Sequence, residues 1–228
     1  GIVKTFPGVR ALRGVDFDLR AGEVHALVGE NGAGKSTLTR ILAGVETPDS
    51  GPMLLASVPY APRSRADAES HGVRMVMQEL NLIGNLTVAE NIFIERLPSR
   101  LGFIDYRRLN EAARQAMAKV GLGDIDPATP VKSLGVGCRQ MVEIAAGLSR
   151  QCRVLALDEP TASLTDSEVE LLFAQIRRLR AEGVGIIYIS HRIEEVLHIA
   201  DRVTVLRDGR IVGTRPAGEV GSEAIIHM

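Results

Sequence analysis

Gly29-Glu30-Asn31-Gly32-Ala33-Gly34-Lys35-Ser36-Thr37 follows directly on the apolar run Val24-His25-Ala26-Leu27-Val28, and this junction decides the fold. The run is short and unbroken, as expected of a strand covered on both faces. The nine residues after it satisfy G-x-x-x-x-G-K-[ST]. In such a loop the glycines let successive backbone N–H groups point inward at phosphate oxygens, and the helix opening near Lys35 adds its positive end. The pattern assigns Gly29, Glu30, Asn31, Gly32, Ala33, Gly34, Lys35, Ser36 and Thr37 to a nucleotide phosphate site. Lys35 is expected to reach the β- and γ-phosphates and Ser36 to ligate Mg²⁺. An ordinary surface loop is the competing reading, and the strand-then-helix context weighs against it.

A phosphate loop of this kind needs a carboxylate on a neighbouring strand to hold the metal, and Val154-Leu155-Ala156-Leu157-Asp158-Glu159-Pro160 supplies one. Asp158 falls at the carboxyl end of a buried run. Glu159 follows at once, so one acid can organise the metal while the other polarises an attacking water. Alone, such a pair after a strand is usually a turn. Pro160 cannot donate to a ladder and marks where the chain leaves the sheet.

Farther out, Arg153-Val154-Leu155-Ala156-Leu157 and Val184-Gly185-Ile186-Ile187-Tyr188-Ile189 are further core-strand candidates. Val15, Phe17 and Leu19 alternate with Asp16 and Asp18, the period-2 pattern of a strand in an antiparallel edge layer. From about Thr87 to Arg150 the sequence reads as consecutive helices: Thr87-Val88-Ala89-Glu90 is a capping box, and another helix runs from Arg107 to Val120 before Gly121. A second capping box, Thr165-Asp166-Ser167-Glu168, opens an amphipathic helix with Val169, Leu172, Ile176 and Leu179 at helical spacing, ending near Gly183. Its Arg177, Arg178 and Arg180 read as a solvated face. Asp208-Gly209 between Val203-Thr204-Val205-Leu206 and Ile211-Val212-Gly213 predicts a hairpin. The sum is an α/β frame with an antiparallel β layer and an inserted helical subdomain. One domain is expected over 1–228, with 1–78 and 151–228 as the nucleotide-binding core and 79–150 as the helical subdomain.

Composition narrows the function. The 228 residues carry 27 Lys+Arg against 28 Asp+Glu, a net charge of −1, with 4% aromatics and no Trp. That gives no electrostatic footprint for duplex nucleic acid and little for base stacking. No stretch approaches 18 consecutive apolar residues, so no membrane crossing is expected. Two cysteines, Cys138 and Cys152, cannot form a disulfide framework and suit a reducing, cytosolic compartment. The chain starts without Met, which suggests a trimmed or partial sequence.

Together these residues resemble the nucleotide-binding domain of ATP-binding cassette transporters, essentially end to end, and within that family the ATPase subunits of bacterial monosaccharide importers. The resemblance implies a P-loop NTPase (RecA-like) core. It identifies Gly29 to Thr37 and Asp158-Glu159 with the two Walker motifs. Phe6, in Lys4-Thr5-Phe6-Pro7-Gly8-Val9, resembles the aromatic that stacks on adenine; a core Phe on a first strand is the plainer alternative. Gln78, in Met75-Val76-Met77-Gln78-Glu79-Leu80, resembles the glutamine-loop residue that touches Mg²⁺ or the water and signals nucleotide state to the helical subdomain. His191, in Tyr188-Ile189-Ser190-His191-Arg192, resembles the switch histidine, expected to bond the γ-phosphate and to hold Glu159 and water in line. Ser163-Leu164-Thr165-Asp166 lies where the family has its dimer-contacting D-loop, while Thr165 and Asp166 also serve the helix cap.

The signature is where the chain departs from the family. The usual Leu-Ser-Gly-Gly-Gln corresponds to Leu134-Gly135-Val136-Gly137-Cys138, followed by Arg139-Gln140. In cassette ATPases this helix start reaches the γ-phosphate held by the opposite domain. Gly135 removes the serine hydroxyl while Gly137 and the helix end remain, a partial loss of about 1.5–3 kcal/mol for one hydrogen bond to a charged group. The implied reaction is Mg²⁺-assisted hydrolysis of ATP to ADP and phosphate by an in-line water, with Lys35, Glu159 and His191 in catalytic roles and Ser36, Asp158 and Gln78 at the metal. The implied partners are a second cassette, either a missing half of the same polypeptide or a homodimer mate, membrane permease subunits, and indirectly a periplasmic sugar-binding protein. The implied place is the cytoplasmic face of the membrane. Two other classes compete: a cassette ATPase outside transport, and a module that dimerises on ATP with little hydrolysis. A small-molecule kinase would not need the glutamine loop, signature and switch histidine in this order.

Overall fold

The computed structural model describes residues 1–77, 82–94, 96–100, 102–148 and 152–227. The chain packs as two units, one gathering Gly1–Met75, Cys152–Glu159 and Ile176–Met228, the other Val76–Gln151 and Pro160–Gln175.

In the first unit, β1 (Ile2–Phe6) and β2 (Val9–Val15) pair antiparallel as a two-stranded sheet. Then come β3 (Val24–Val28), α1 (Lys35–Leu42), a small β4 (Leu54–Leu55) and β5 (Val58–Pro59) hairpin, α2 (Arg65–Ser70) and β6 (Val73–Val76). After the second unit's helices the chain returns with β9 (Val154–Asp158), β10 (Gly185–Ile189), α7 (Ile193–Ile199), β11 (Arg202–Arg207), β12 (Arg210–Pro216) and α8 (Ser222–His227). The main sheet has the order β12-β11-β3-β10-β9-β6. β3, β9, β10 and β11 run parallel, and β12 closes the edge antiparallel to β11. All five residues of β3 and of β10 are buried, which is why both read as unbroken apolar runs. The expected hairpin turns at Asp208 and Gly209, both at positive φ, 51° and 74°.

The second unit contains α3 (Val88–Phe93), a β7 (Ser99–Arg100) and β8 (Phe103–Ile104) hairpin, α4 (Tyr106–Ala118) and α5 (Val136–Leu148), together with the first ten residues of α6 (Asp166–Ala181). Helices α3, α4 and α5 pack on one another through Val88, Ala89 and Ile92, Leu109, Ala113 and Met117, and Met141, Val142 and Ile144, all buried. The Thr87/Glu90 capping box forms as predicted. Asn91, 5% exposed, ties the preceding loop to α3: its side-chain oxygen accepts from Ile83 N–H at 2.8 Å and its amide donates to the carbonyls of Ile83, Leu86 and Thr87.

One expectation is corrected. The alternation at Val15, Phe17 and Leu19 is not a strand: β2 ends at Val15 and residues 16–20 lie outside the sheets. Side chains take the bonds a ladder would need. The Asp18 carbonyl accepts from His25 Nδ1 at 2.8 Å and Arg202 Nη2 at 3.2 Å, and Arg20 N–H donates to Glu23 Oε2 at 2.7 Å. The antiparallel layer is built instead from the preceding residues, 2–15. The three arginines of α6 are exposed as expected, yet Arg178 pairs with Glu182 at 3.1 Å and Arg180 with Asp201 at 2.6 Å.

Candidate functional site

The registers fix the geometry. Ile189 of β10 lies opposite both Leu27 of β3 and Asp158 of β9, so the carboxyl ends of three parallel strands reach one edge together. Gly29 to Lys35, Asp158-Glu159 and Ser190-His191 leave the sheet there, as open α/β sheets gather ligand-binding residues at their carboxyl edge.

The loop after β3 turns through three glycines at positive φ, Gly29 at 151°, Gly32 at 82° and Gly34 at 107°. At Gly29 a Cβ would lie 2.0 Å from the Leu206 carbonyl oxygen, and at Gly34 2.6 Å from that of Ala11. No side chain at those two positions fits. Gly34 caps α1 without a side-chain bond, so the first N–H groups of the helix are left for a ligand. Glu30, Asn31 and Gly32 are exposed, Ala33 is buried, and Ser36 and Thr37 are half-buried. The Lys35 side chain curls back, with Nζ donating to the carbonyls of Gly29 at 2.7 Å and Glu30 at 3.0 Å. Burial pulls its pKa down, opposed by the nearby charges of Glu159 and Asp158.

Asp158 is 7% exposed. Burial raises its pKa, the hydrogen bond from the Ser36 hydroxyl opposes that rise, and the adjacent charge of Glu159 adds to it. A desolvated carboxylate facing a hydroxyl fits a small divalent cation completed by phosphate oxygens and water. Among the described residues no three His, Cys, Asp or Glu side chains gather as a metal cluster.

Glu159 stands at φ 48°, a left-handed conformation costly for a residue with a Cβ. Its N–H donates to the Ile189 carbonyl at 2.9 Å, extending the β9–β10 pairing one residue past the strand and holding the turn. The carboxylate is thereby aimed at His191, whose Nδ1 lies 3.4 Å from Oε1. The imidazole is 60% exposed and the carboxylate 18%. The turn before α7 is fixed by residues that sequence reasoning passed over. Glu195 accepts from Tyr188 Oη at 2.9 Å, from Ser190 Oγ at 3.3 Å and from Arg192 Nη1 at 2.9 Å, while Ser190 Oγ accepts from Arg192 N–H at 3.0 Å. The serine and glutamate around His191 were visible signals, an acid in the first turn of a helix after a strand-end serine. A cleft of about 270 Å³ opens beside the loop between Gly29, Glu30, Ser190, His191, Leu206 and Arg207.

Phe6 ends β1, half-buried, with Lys4 Nζ 5.1 Å from its ring centroid. Gln78 lies outside the described residues. In the second unit, α5 starts one residue after Gly135, and Arg139 N–H donates to the Gly135 carbonyl at 3.1 Å. The Arg139 guanidinium ties down the approach, with Nε on the Leu134 carbonyl at 2.9 Å and Nη2 on that of Lys132 at 2.8 Å. Val136 is 47% exposed, Gly137 is buried and Cys138 half-buried. Ser163 and Leu164 lie in a turn closed from Leu164 N–H to the Thr161 carbonyl at 3.1 Å, and Thr165 and Asp166 open α6. No helix among the described residues is long and apolar enough to cross a membrane.

The sequence profile of the family described as "ABC transporter" matches residues 12–162. The chain is 51% identical over 228 residues to a ribose import ATP-binding protein of Rubrobacter xylanophilus, covering 100% of this chain and 45% of the relative. It is 52% identical over 225 residues to one of Streptomyces avermitilis, covering 99% and 43%. The chain thus spans less than half the length of these curated relatives. Among solved structures, cbiO1 of Clostridium perfringens, part of an ABC transporter complex, superposes with TM-score 0.83 at 27% identity over 99% of this chain and 90% of that one. The chain belongs to the ABC transporter family, and its fold is that of the family's ATP-binding cassette.

Proposed function

We propose that this ABC transporter cassette binds ATP with Mg²⁺, hydrolyses it to ADP and phosphate, and so drives a membrane importer whose cargo is a monosaccharide. The observation that carries the reading is the Glu159–His191 contact at 3.4 Å, beside Lys35 and the Ser36–Asp158 pair. Lys35 exchanges its two loop carbonyls for phosphate oxygens. The N–H groups of Gly32 to Ser36 cradle the phosphates, and Phe6 stacks on the base. Ser36 and Asp158, with Gln78, would hold a magnesium ion, which when bound would supply positive charge to offset that of the phosphates. Glu159 polarises the water that attacks the γ-phosphorus as the bond to the bridging oxygen breaks. The water's proton passes to the carboxylate and then to phosphate. His191 uses the ring nitrogen not facing Glu159 for the γ-phosphate.

The relatives named for ribose import support the cargo class, and their length, more than twice the matched segment, supports a second cassette as partner. Leu134, Gly135, Val136, Gly137 and Cys138 then face the partner's nucleotide, with Ser163 to Asp166 at the contact between cassettes. Permease subunits receive the motion of the helical unit, and a periplasmic sugar-binding protein delivers the cargo to them. The cassette sits at the cytoplasmic face of the membrane, peripherally.

The test is Mg²⁺-dependent ATP turnover against protein concentration, with nucleotide binding followed in parallel. Glu159→Gln is expected to abolish turnover and retain ATP binding. Unchanged turnover in that variant would overturn the assignment of the base.

A further inference from the structure

Glu168 belongs to the cap of one helix and lies on the start of another. Its Oε2 accepts from Thr165 N–H at 2.9 Å and from Thr165 Oγ1 at 3.0 Å, closing the capping box of α6. The same carboxylate rests against the α-carbon of Gly137, the second residue of α5: a Cβ there would lie 1.9 Å from Oε1 and 2.0 Å from the carboxyl carbon. Both residues belong to the second unit, and Glu168 is half-buried. At this end of α5 the residue before the helix is Gly135, which has no side chain to cap with, and the Glu168 carboxylate of α6 lies beside the first turn at Gly137. A carboxylate on the first turn of a helix compensates the positive end of its macrodipole.

We propose that Glu168 is an internal counter-anion of the signature turn: its carboxylate neutralises the start of α5 and lowers the affinity of that turn for phosphate. The proposal rests on the reading of α5 as the helix offered to a partner's nucleotide, and it deepens it. The turn lacks the serine hydroxyl and carries a fixed negative charge as well, so two changes weaken what this domain contributes across a cassette pair. Gly137 is required for the same reason, since the space a Cβ would fill is occupied by the carboxylate.

The experiment follows backbone amide resonances of the whole chain, isotopically labelled, while inorganic phosphate is titrated. Glu168→Gln keeps the shape and an acceptor oxygen for Thr165 and removes the charge. The Gly137 and Cys138 amides are expected to shift saturably at a phosphate concentration about fivefold lower in Glu168→Gln than in the natural chain, the factor one charge at a helix end is worth. Equal affinity in the two proteins, or weaker binding in the variant, overturns the proposal. The Gly32 and Gly34 amides, followed with ATP, report the phosphate loop separately, so loss of the nucleotide reading shows there and not at Gly137. Thermal unfolding tests the contact itself. Gly137→Ala is expected to lower Tm in the natural chain, where its Cβ drives the carboxylate out of the capping box. In a Glu168→Ala background it is expected to raise Tm, as Gly→Ala in a helix ordinarily does. Additive shifts overturn the contact.

Discussion

Replacing Gly29 by Ala tests why the phosphate loop leaves β3 as it does. The position has φ 151°, and the new Cβ would sit 2.0 Å from the Leu206 carbonyl oxygen and 3.1 Å from its carbon. Ordinary contact is well over an ångström longer, and the obstacle is backbone of β11, itself paired to β3 through Val205 and Val28. Neither strand can move without disturbing the ladder. The positive φ adds about 1–2 kcal/mol and the overpacking about 1–3 kcal/mol. For a chain of this size each kcal/mol lowers Tm by about 2–4 °C. Gly32→Ala is the control. It has φ 82°, but a Cβ there meets nothing within 4 Å, so only the conformational cost of about 1–2 kcal/mol remains. Thermal unfolding by circular dichroism should place Gly29→Ala below Gly32→Ala by the overpacking difference, about 2–12 °C. Equal midpoints, or a larger loss at Gly32, would refute the claim that β11 crowds the loop.

Arg202 bridges Asp18 at 2.8 Å and Glu23, whose side chain is 7% exposed. Arg202→Met should therefore cost about 3 kcal/mol in chemical denaturation by stranding Glu23, and adding Glu23→Gln should recover part of it. His25 is fully buried, and burial chiefly, with Arg202 next, holds its pKa below 6.5. The unfolded chain then binds the proton more readily, so this group's contribution to stability is present above pH 6.5 and is lost as pH falls below it. An NMR titration should find the imidazole neutral where a free histidine is half protonated, and a normal titration midpoint would contradict that environment. A Cβ at Gly135 meets nothing within 4 Å, so Gly135→Ser should fold normally and raise ATP turnover at the partner's site. An unchanged rate in the cassette pair counts against a weakened signature.

The sequence displays what repeats as a pattern and conceals what depends on a neighbour brought from far along the chain. Gly29 to Thr37 is legible because Gly29 and Gly34 are dictated by backbone shape and Lys35 and Ser36 by phosphate and metal chemistry, at fixed spacing. The runs at Val24, Val154 and Val184 are legible because both faces of those strands are covered. Val15 to Leu19 misleads for the opposite reason. Its alternation correctly describes which side chains turn inward, with Val15 buried and Asp16 and Asp18 exposed, but the backbone bonds go to His25 and Arg202, the latter more than 180 residues away. Glu195, bonded to Tyr188, Ser190 and Arg192, reads in sequence as one more first-turn acid. Glu159 at positive φ has no sequence signature, because its conformation is imposed by the bond to Ile189 on the next strand.

These concealed features share a direction. Lys35 spends its donors on two carbonyls of its own loop, Asp158 is buried with a raised pKa, and Glu159 is held in a conformation that costs about 1–2 kcal/mol. The last two are local costs, desolvation of a carboxylate and a left-handed backbone. In the proposed function, phosphate oxygens would give Lys35 acceptors that carry charge, and a cation on Ser36 and Asp158 would offset the desolvation of the carboxylate. On the proposed reading, nucleotide and its cation would act on Lys35 and Asp158, while the bond from Glu159 N–H to the Ile189 carbonyl holds the Glu159 carboxylate toward His191. Binding energy is then largest for a ligand that carries both the phosphates and the cation. Nucleotide without Mg²⁺ should relieve Lys35 alone and bind correspondingly less tightly.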